Sequence, residues 1–409
     1  MFRPRVVFVN RFYWPDEPAT AQLLTDLAEG LVAAGHLVLV VTSQPTNPTV
    51  AASETRNGVE IIRLKGPRFR RSSIFLKAIS FIGFIRTALR KLEEILQPGD
   101  IVVLMTDPPL LNLFAVPLAH RQGARVIHWL QDIYPEVAMA VGSGGILRVL
   151  RRSRDRVWRQ AEVCVAPGED LAVFARSRGV DPAALLVSPN WAPAGLTQPA
   201  PAEIEALRRD WGLQGKFVVM YSGNLGRVHD LDTVITIAEE LRNERDIVFL
   251  FVGNGAQKAR LQATVQRRGL SNVIFKPPQP RQKLGLTLTI GNLHLVTMRQ
   301  GCEQLVFPSK LYGIVAIGRP VLYLGPTQCE LARIVDTRGF GRSYGINQTQ
   351  SAIQTILHLR HSPADCTRMS KAALAYNEEK GGSAAAIALW DKLLTGLKAL
   401  APRNLAKHK

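Results

Sequence analysis

The sequence predicts an α/β protein made of two Rossmann-like domains facing across a cleft. Three observations carry this expectation. Short apolar runs alternate with stretches of helical spacing through the first half of the 409-residue chain. A stretch rich in proline and small residues then interrupts the pattern. After it, the alternation begins again. Strand–helix alternation implies a parallel sheet with helices on both faces, and a chain of this length is expected to divide into two domains.

In the first half, the strand candidates are residues 6–10, 37–42, 60–64, 101–105, 125–129 and 163–166. Between the first two, the spacing predicts a helix over 20–34, closed by Gly35. The apolar stretch 101–118 comes nearest to membrane-spanning length, but Asp107-Pro108-Pro109 breaks it. It reads as strand, turn and helix, so no transmembrane helix is expected. No secretory signal precedes the first strand. The expected boundaries are a first domain over 1–188, a linker over 189–205 and a second domain over 206–375. Strands of the second domain are expected at 217–221, 248–252, 273–275, 293–297 and 320–324. Residues 376–409 are expected to form a helix and a basic tail that pack back toward the first domain.

Composition narrows the class. With 46% hydrophobic and 21% charged residues, the chain can bury a large core and needs no staples. Its four cysteines are far apart and lack CxxC spacing, which argues against a disulfide framework or a zinc site. The eight histidines are scattered. The formal net charge of +18 implies an anionic partner: nucleic acid, a membrane surface or an anionic substrate. From Arg63 to Lys91 the cations, among them Arg68, Arg70, Arg71 and Lys77, are interleaved with apolar residues and no acid occurs. Such a segment suits attachment to an anionic membrane surface; a buried helix with a solvated basic edge is the plainer reading. A second basic cluster, Arg148, Arg151, Arg152, Arg154, Arg156 and Arg159, points the same way.

The chemistry concentrates in the second half. Tyr221-Ser222-Gly223-Asn224-Leu225-Gly226-Arg227 follows an apolar strand and precedes a helical pattern. Glycines in such a turn let the backbone approach an anion, helix-start N–H groups face it, and Arg227 adds charge. Glycine turns of this kind occur in any α/β protein, so the later elements matter. Gly253-Asn254-Gly255 ends the next strand. Phe307-Pro308-Ser309-Lys310-Leu311-Tyr312-Gly313 then leads into a helix ending in Gly318-Arg319-Pro320.

Together with Gly35-His36, Asp132-Ile133-Tyr134-Pro135-Glu136 and Pro189-Asn190-Trp191, these motifs make nearly the whole chain resemble the GT-B glycosyltransferases of family 4. The likeness is to the bacterial branch that builds exopolysaccharide, capsule and O-antigen units. The resemblance implies a retaining, metal-free transferase, with a nucleotide-sugar donor, UDP-linked by default, in the second domain and the acceptor in the first. It implies no cofactor beyond the donor itself. Without an acidic DxD-type cluster, the leaving diphosphate is left to N–H groups and cations. The resemblance assigns donor contacts to Ser222, Gly223, Asn224, Arg227, Gly253, Asn254, Ser309 and Lys310, and base contacts to the turn around Pro278. The family also carries two glutamates eight residues apart; here those positions hold Leu305 and Gly313. Glu303 lies nearby as a candidate for the donor sugar.

In the first domain, Asp132 and Glu136 follow a strand, where carboxylates suit acceptor binding or removal of its proton. Helix capping is the equal alternative for this pair. Asp132, Glu136 and Lys310 are therefore the catalytic candidates. The Asp16–Thr20 stretch lies where the family's acceptor loop lies, which places Glu17 and Thr20 at the acceptor. His128, inside an apolar strand, reads as structural. The partners expected are a nucleotide-sugar, a lipid-linked acceptor and the cytoplasmic face of the membrane, with no nucleic acid. A nucleotide-sugar epimerase of the same architecture is the rival enzyme. A basic binding protein for nucleic acid is the rival outside enzymes, and it lacks an RNA-binding motif.

Overall fold

The structure, a computed structural model, describes residues 4–45, 50–65, 74–142 and 145–399. The chain forms two compact units. One comprises residues up to Asn190 and again from Ser383; the other runs from Trp191 to Gly382.

The first unit holds eight strands: β1 (Val6–Val9), β2 (Val38–Ser43), β3 (Ser53–Arg56), β4 (Val59–Leu64), β5 (Ile101–Met105), β6 (Arg125–Trp129), β7 (Val163–Ala166) and β8 (Leu185–Val187). They form one sheet in the order β3-β4-β2-β1-β5-β6-β7-β8. Every pairing is parallel except β3 with β4. β1, β5 and β6 are buried along their whole length. Helices cover both faces of such strands, which is why they read as unbroken apolar runs rather than alternating ones.

The second unit holds six parallel strands: β9 (Phe217–Ser222), β10 (Ile247–Val252), β11 (Val273–Lys276), β12 (Leu293–Thr297), β13 (Val321–Leu324) and β14 (Gly341–Tyr344). Their order is β11-β10-β9-β12-β13-β14. Alternate residues face opposite layers, as the two-residue period of a strand requires. Val219, Tyr221, Phe249 and Phe251 pack with Val234, Ile237, Ile353 and Ile356 on one face. Val218, Met220, Leu250 and Val252 pack with Trp211, Leu213 and Ile290 on the other.

Among the parallel strands of each sheet, the strand order reverses direction at one place. It lies between β1 and β5 in the first unit and between β9 and β12 in the second. In doubly wound sheets, ligands bind outside the carboxyl ends of the strands at this place.

The structure corrects several boundaries. β3, β8 and β14 were not expected from the sequence. β3 is a polar edge strand, turned onto β4 by Asn57 and Gly58 at φ 49 and 80. The helix Pro201–Asp210 takes up part of the expected linker. The expected boundary at 375/376 falls inside the helix Pro363–Lys380, and the chain instead breaks at Gly381 and Gly382, φ 67 and 56. The helix Gly382–Ala399 then inserts Trp390 into the first unit's core. Trp390 is fully buried, with its ring centroid 5.1 Å from that of Trp129 and 6.3 Å from that of Phe8. His36 joins the same helix, with Nε2 2.7 Å from Asp391 Oδ1 and Nδ1 2.8 Å from Lys398 Nζ.

The basic segments separate into parts. Arg68, Arg70 and Arg71 lie outside the described residues, as does the side chain of Lys77. Arg63 is not a surface cation: it is 3% exposed and bonds Glu54 at 2.6 Å. Farther along the helix Ile74–Ile95, the buried residues Ser80, Phe84, Ala88 and Leu92 form a core-facing stripe, while Ile82 is exposed. Among the described residues, no helix is long and apolar enough to cross a membrane.

Candidate functional site

Both sheets place polar side chains where their strand order reverses. In the second unit, the loops after β9 and β10 touch through backbone. A Cβ on Gly253 would strike the Gly223 carbonyl oxygen, and one on Gly255 would sit 2.5 Å from Leu225 backbone atoms. Gly223 and Gly253 have φ of 134 and 149, which only glycine adopts without strain. The Gly223 N–H is bonded to the Val252 carbonyl at 2.9 Å and the Leu225 N–H to the Asn254 carbonyl at 2.8 Å. Gly223 therefore offers space rather than an N–H to an anion, which corrects its expected role. That space is taken by Lys310, whose Cε lies 3.3 Å from where a Gly223 Cβ would stand.

Lys310 opens the short helix Lys310–Ala316. Its Nζ lies 3.0 Å from His229 Nε2 and 4.9 Å from the ring centroid of Tyr221. Burial lowers its pKa from 10.5 to about 7. Burial, and then the neighbouring Lys310, hold His229 down at about 3. The sequence reading missed His229; its only signal was a titratable ring two residues beyond Arg227. Arg227 and Asn224 are exposed in the same loop. Asn254 accepts a bond from Lys258 at 2.9 Å. Ser222 ends β9, and Ser309 precedes Lys310 without capping its helix through a side-chain bond. Exposed Pro278 follows the end of β11, where the Lys276 carbonyl accepts the Gly253 N–H at 3.1 Å.

The two positions that lack the family's glutamates are closed. Leu305 is buried, and a Cβ on Gly313 would meet Leu288 Cδ1 at 3.3 Å. Glu303, in the loop after β12, keeps one buried carboxylate oxygen, Oε2, without a hydrogen-bond partner.

In the first unit, Arg11 lies in the loop after β1 and Asp107 in the loop after β5. Arg11 Nε lies 3.2 Å from Asp107 Oδ1, and the guanidinium stacks over Phe12 and Phe81 at 4.3 and 4.6 Å. Burial raises the Asp107 pKa and lowers that of Arg11, and each partner opposes the other's shift. Asp132, at the end of β6, bonds Thr106 Oγ1 through its N–H at 3.2 Å. The residue is exposed to solvent, yet protein crowds around it. That crowding first, and Asp107 second, raise its pKa to about 6. Crowding also raises Asp16 to about 6. Arg11 and Asp107 were not singled out from sequence, since a strand-end cation and a turn aspartate are ordinary there.

Glu136 is corrected. Its oxygens accept from Arg154 at 2.8 and 3.0 Å, and Arg151 lies 3.1 Å away. With both oxygens committed to buried Arg154, Glu136 anchors its loop and is not placed to take a proton. Arg154 equally leaves the surface cluster, at 4% exposed. Glu17 is exposed, and its carbonyl accepts from Gln22 at 2.7 Å; Thr20 lies in the first turn of the helix Ala19–Ala33. His128 is a core residue held by Asn112 at 3.0 Å and the Val157 carbonyl at 3.2 Å. Among the described residues, no group of three or more His, Cys, Asp or Glu is arranged to hold a metal.

Comparison with known proteins agrees with this architecture. Residues 20–191 match the glycosyl transferase 4-like domain, and residues 203–374 match the glycosyl transferases group 1 family. The chain is 28% identical over 356 residues to WcaI of Escherichia coli (strain K12), named as a colanic acid biosynthesis glycosyl transferase, covering 80% of this chain and 84% of that one. It is 25% identical over 311 residues to WbjE of Pseudomonas aeruginosa, named as a glycosyltransferase, covering 75% and 76%. Among solved structures, HepE of Anabaena in complex with UDP is similar in fold, with TM-score 0.73 and 13% identity over 96% of this chain and all of that one (100%). The chain belongs to the bacterial branch of the family 4 glycosyltransferases and has their GT-B fold.

Proposed function

We propose that the protein is a retaining, metal-independent transferase that moves a sugar from a nucleotide-sugar, most simply UDP-linked, to a lipid-linked saccharide in cell-surface polysaccharide synthesis. The observation that carries this reading is the half-buried Lys310 amine set against the Gly223 turn at a strand-order reversal. A half-neutral, half-buried amine beside a glycine turn suits a leaving diphosphate, whose growing charge it stabilises. Arg227 adds a second cation from the same loop. The name of WcaI, which cites colanic acid biosynthesis, supports the polysaccharide setting.

In the first unit, Arg11, Asp107 and Asp132 form the acceptor end of this reading. Carboxylates there accept bonds from sugar hydroxyls, and Asp132, poised at about 6, is able to take a proton. The membrane reading draws on three neighbouring helical segments. The helix Ile74–Ile95 packs on Leu111–Arg121, which packs on Arg151–Gln160. These helices and the short turn Gly145–Leu150 before the last of them carry exposed Ile82, Phe114 and Val149 and exposed Arg86, Arg90, Arg148, Arg152 and Arg156. Apolar tips among cations suit an anionic lipid surface.

A panel of nucleotide-sugars screened by thermal shift, with and without EDTA, tests the donor side. A bound donor at 100-fold its Kd stabilises by about 2.7 kcal/mol. The expected result is a shift with one donor class that survives the chelator, followed by transfer to a membrane lipid extract. Release of an isomerised sugar nucleotide without acceptor identifies an epimerase instead.

A further inference from the structure

We propose that His229 is a positioning residue for the donor diphosphate: it holds the Lys310 amine against the Gly223 turn, so that the amine takes up a proton when the phosphates arrive. The inference rests on the reading of this turn as the donor site.

The geometry fixes the ring. His229 Nδ1 lies 2.7 Å from the Thr297 carbonyl oxygen. A carbonyl only accepts, so Nδ1 carries the hydrogen and Nε2 presents a lone pair. Lys310 Nζ donates to that lone pair at 3.0 Å. The His229 backbone is held from both sides. Its N–H donates to the Gly226 carbonyl at 3.2 Å, and its own carbonyl accepts from Gln257 Nε2 at 3.0 Å. The Tyr221 ring stands edge-on, 5.8 Å away. The imidazole is therefore a fixed acceptor spanning the strand-order reversal, from the loop after β9 to the end of β12.

The titratable groups that face Lys310 are His229 and Tyr221. His229 stays neutral at any working pH, because burial holds it near 3. Among the described residues, no carboxylate contributes to the state of Lys310; burial alone lowers it. The ammonium form thus has a dipole to donate to but no counter-charge. A diphosphate supplies that charge and favours the protonated form. The Lys310 lone pair then takes a proton from solvent, and the new N–H serves the phosphate oxygens. His229 serves the amine in both states, since either form donates a bond to Nε2.

Titration calorimetry of UDP at pH 8, in buffers of different ionisation enthalpy, tests this. At pH 8 the terminal phosphate of UDP is already ionised, with its pKa near 6, so any proton taken up belongs to the protein. The wild-type protein is expected to take up about one proton per UDP. Lys310→Arg, charged in both states, should bind with none. His229→Gln offers an amide oxygen in place of Nε2 and should keep the uptake. His229→Leu should weaken UDP by about tenfold or more and move the pH at which binding declines. Wild-type binding without uptake overturns the proposal while the donor site stands. Unchanged affinity and uptake in His229→Leu also overturn it, since the ring would then only fill space. If neither UDP nor GDP binds at millimolar concentration, the donor-site reading falls and the proposal with it.

Discussion

Lys310 destabilises the unit that holds it. Its folded pKa of about 7 lies below the ordinary 10.5. Between those values the folded unit binds fewer protons than the unfolded chain, so stability rises as pH climbs from about 7 toward 10.5. Lys310→Met is expected to abolish that rise and to increase Tm at pH 7. It should also cut transfer by on the order of 100-fold through loss of a charge-stabilising group. Thermal melts across pH 6–10, paired with transfer assays, check both effects; a lower Tm at pH 7 would mean that the amine contributes to folding. Lys310 was legible in the sequence because it stands in a motif. Its partner His229 was not, since the two lie 81 residues apart and only the strand order brings them together. Glu136 was misread for the same kind of reason: Arg154, 18 residues on, claims its carboxylate through a fold contact that no local pattern announces.

Among the elements, the buried strands were the most legible, because parallel strands covered on both faces leave continuous apolar runs in the sequence. The strands that escaped are short or polar. β3 pairs only with β4 at the sheet edge, and its burial alternates between exposed and intermediate. The helix Gly382–Ala399 was legible as a helix, and Trp390 is its largest buried side chain, beside Leu394 and Leu397. Trp390→Ala should destabilise the first unit by about 3–5 kcal/mol, since it empties a fully buried aromatic site. Two-transition unfolding, followed by denaturant titration, should show the loss in one transition alone. Nucleotide affinity, which belongs to the other unit in our reading, should be unchanged in native buffer.

At the scale of the whole molecule, the net charge of +18 demands an anionic environment. Replacing Arg68, Arg70, Arg71 and Lys77 together by Gln should reduce sedimentation with anionic vesicles at moderate salt, at about 1 kcal/mol for each charge near the surface. It should slow transfer to a long lipid acceptor and leave transfer to a short soluble one nearly unchanged. Undiminished sedimentation would move the docking surface to Arg148, Arg152 and Arg156. The return of the chain to its first unit has a temporal consequence as well. During synthesis, the second unit, Trp191–Gly382, must be made in full before Trp390 appears. At 5–20 residues per second, this leaves Phe8 and Trp129 without their Trp390 contact for on the order of ten to forty seconds. The unit whose residues are made first is therefore the last to close, and its nascent form is the species that chaperones and aggregation compete for.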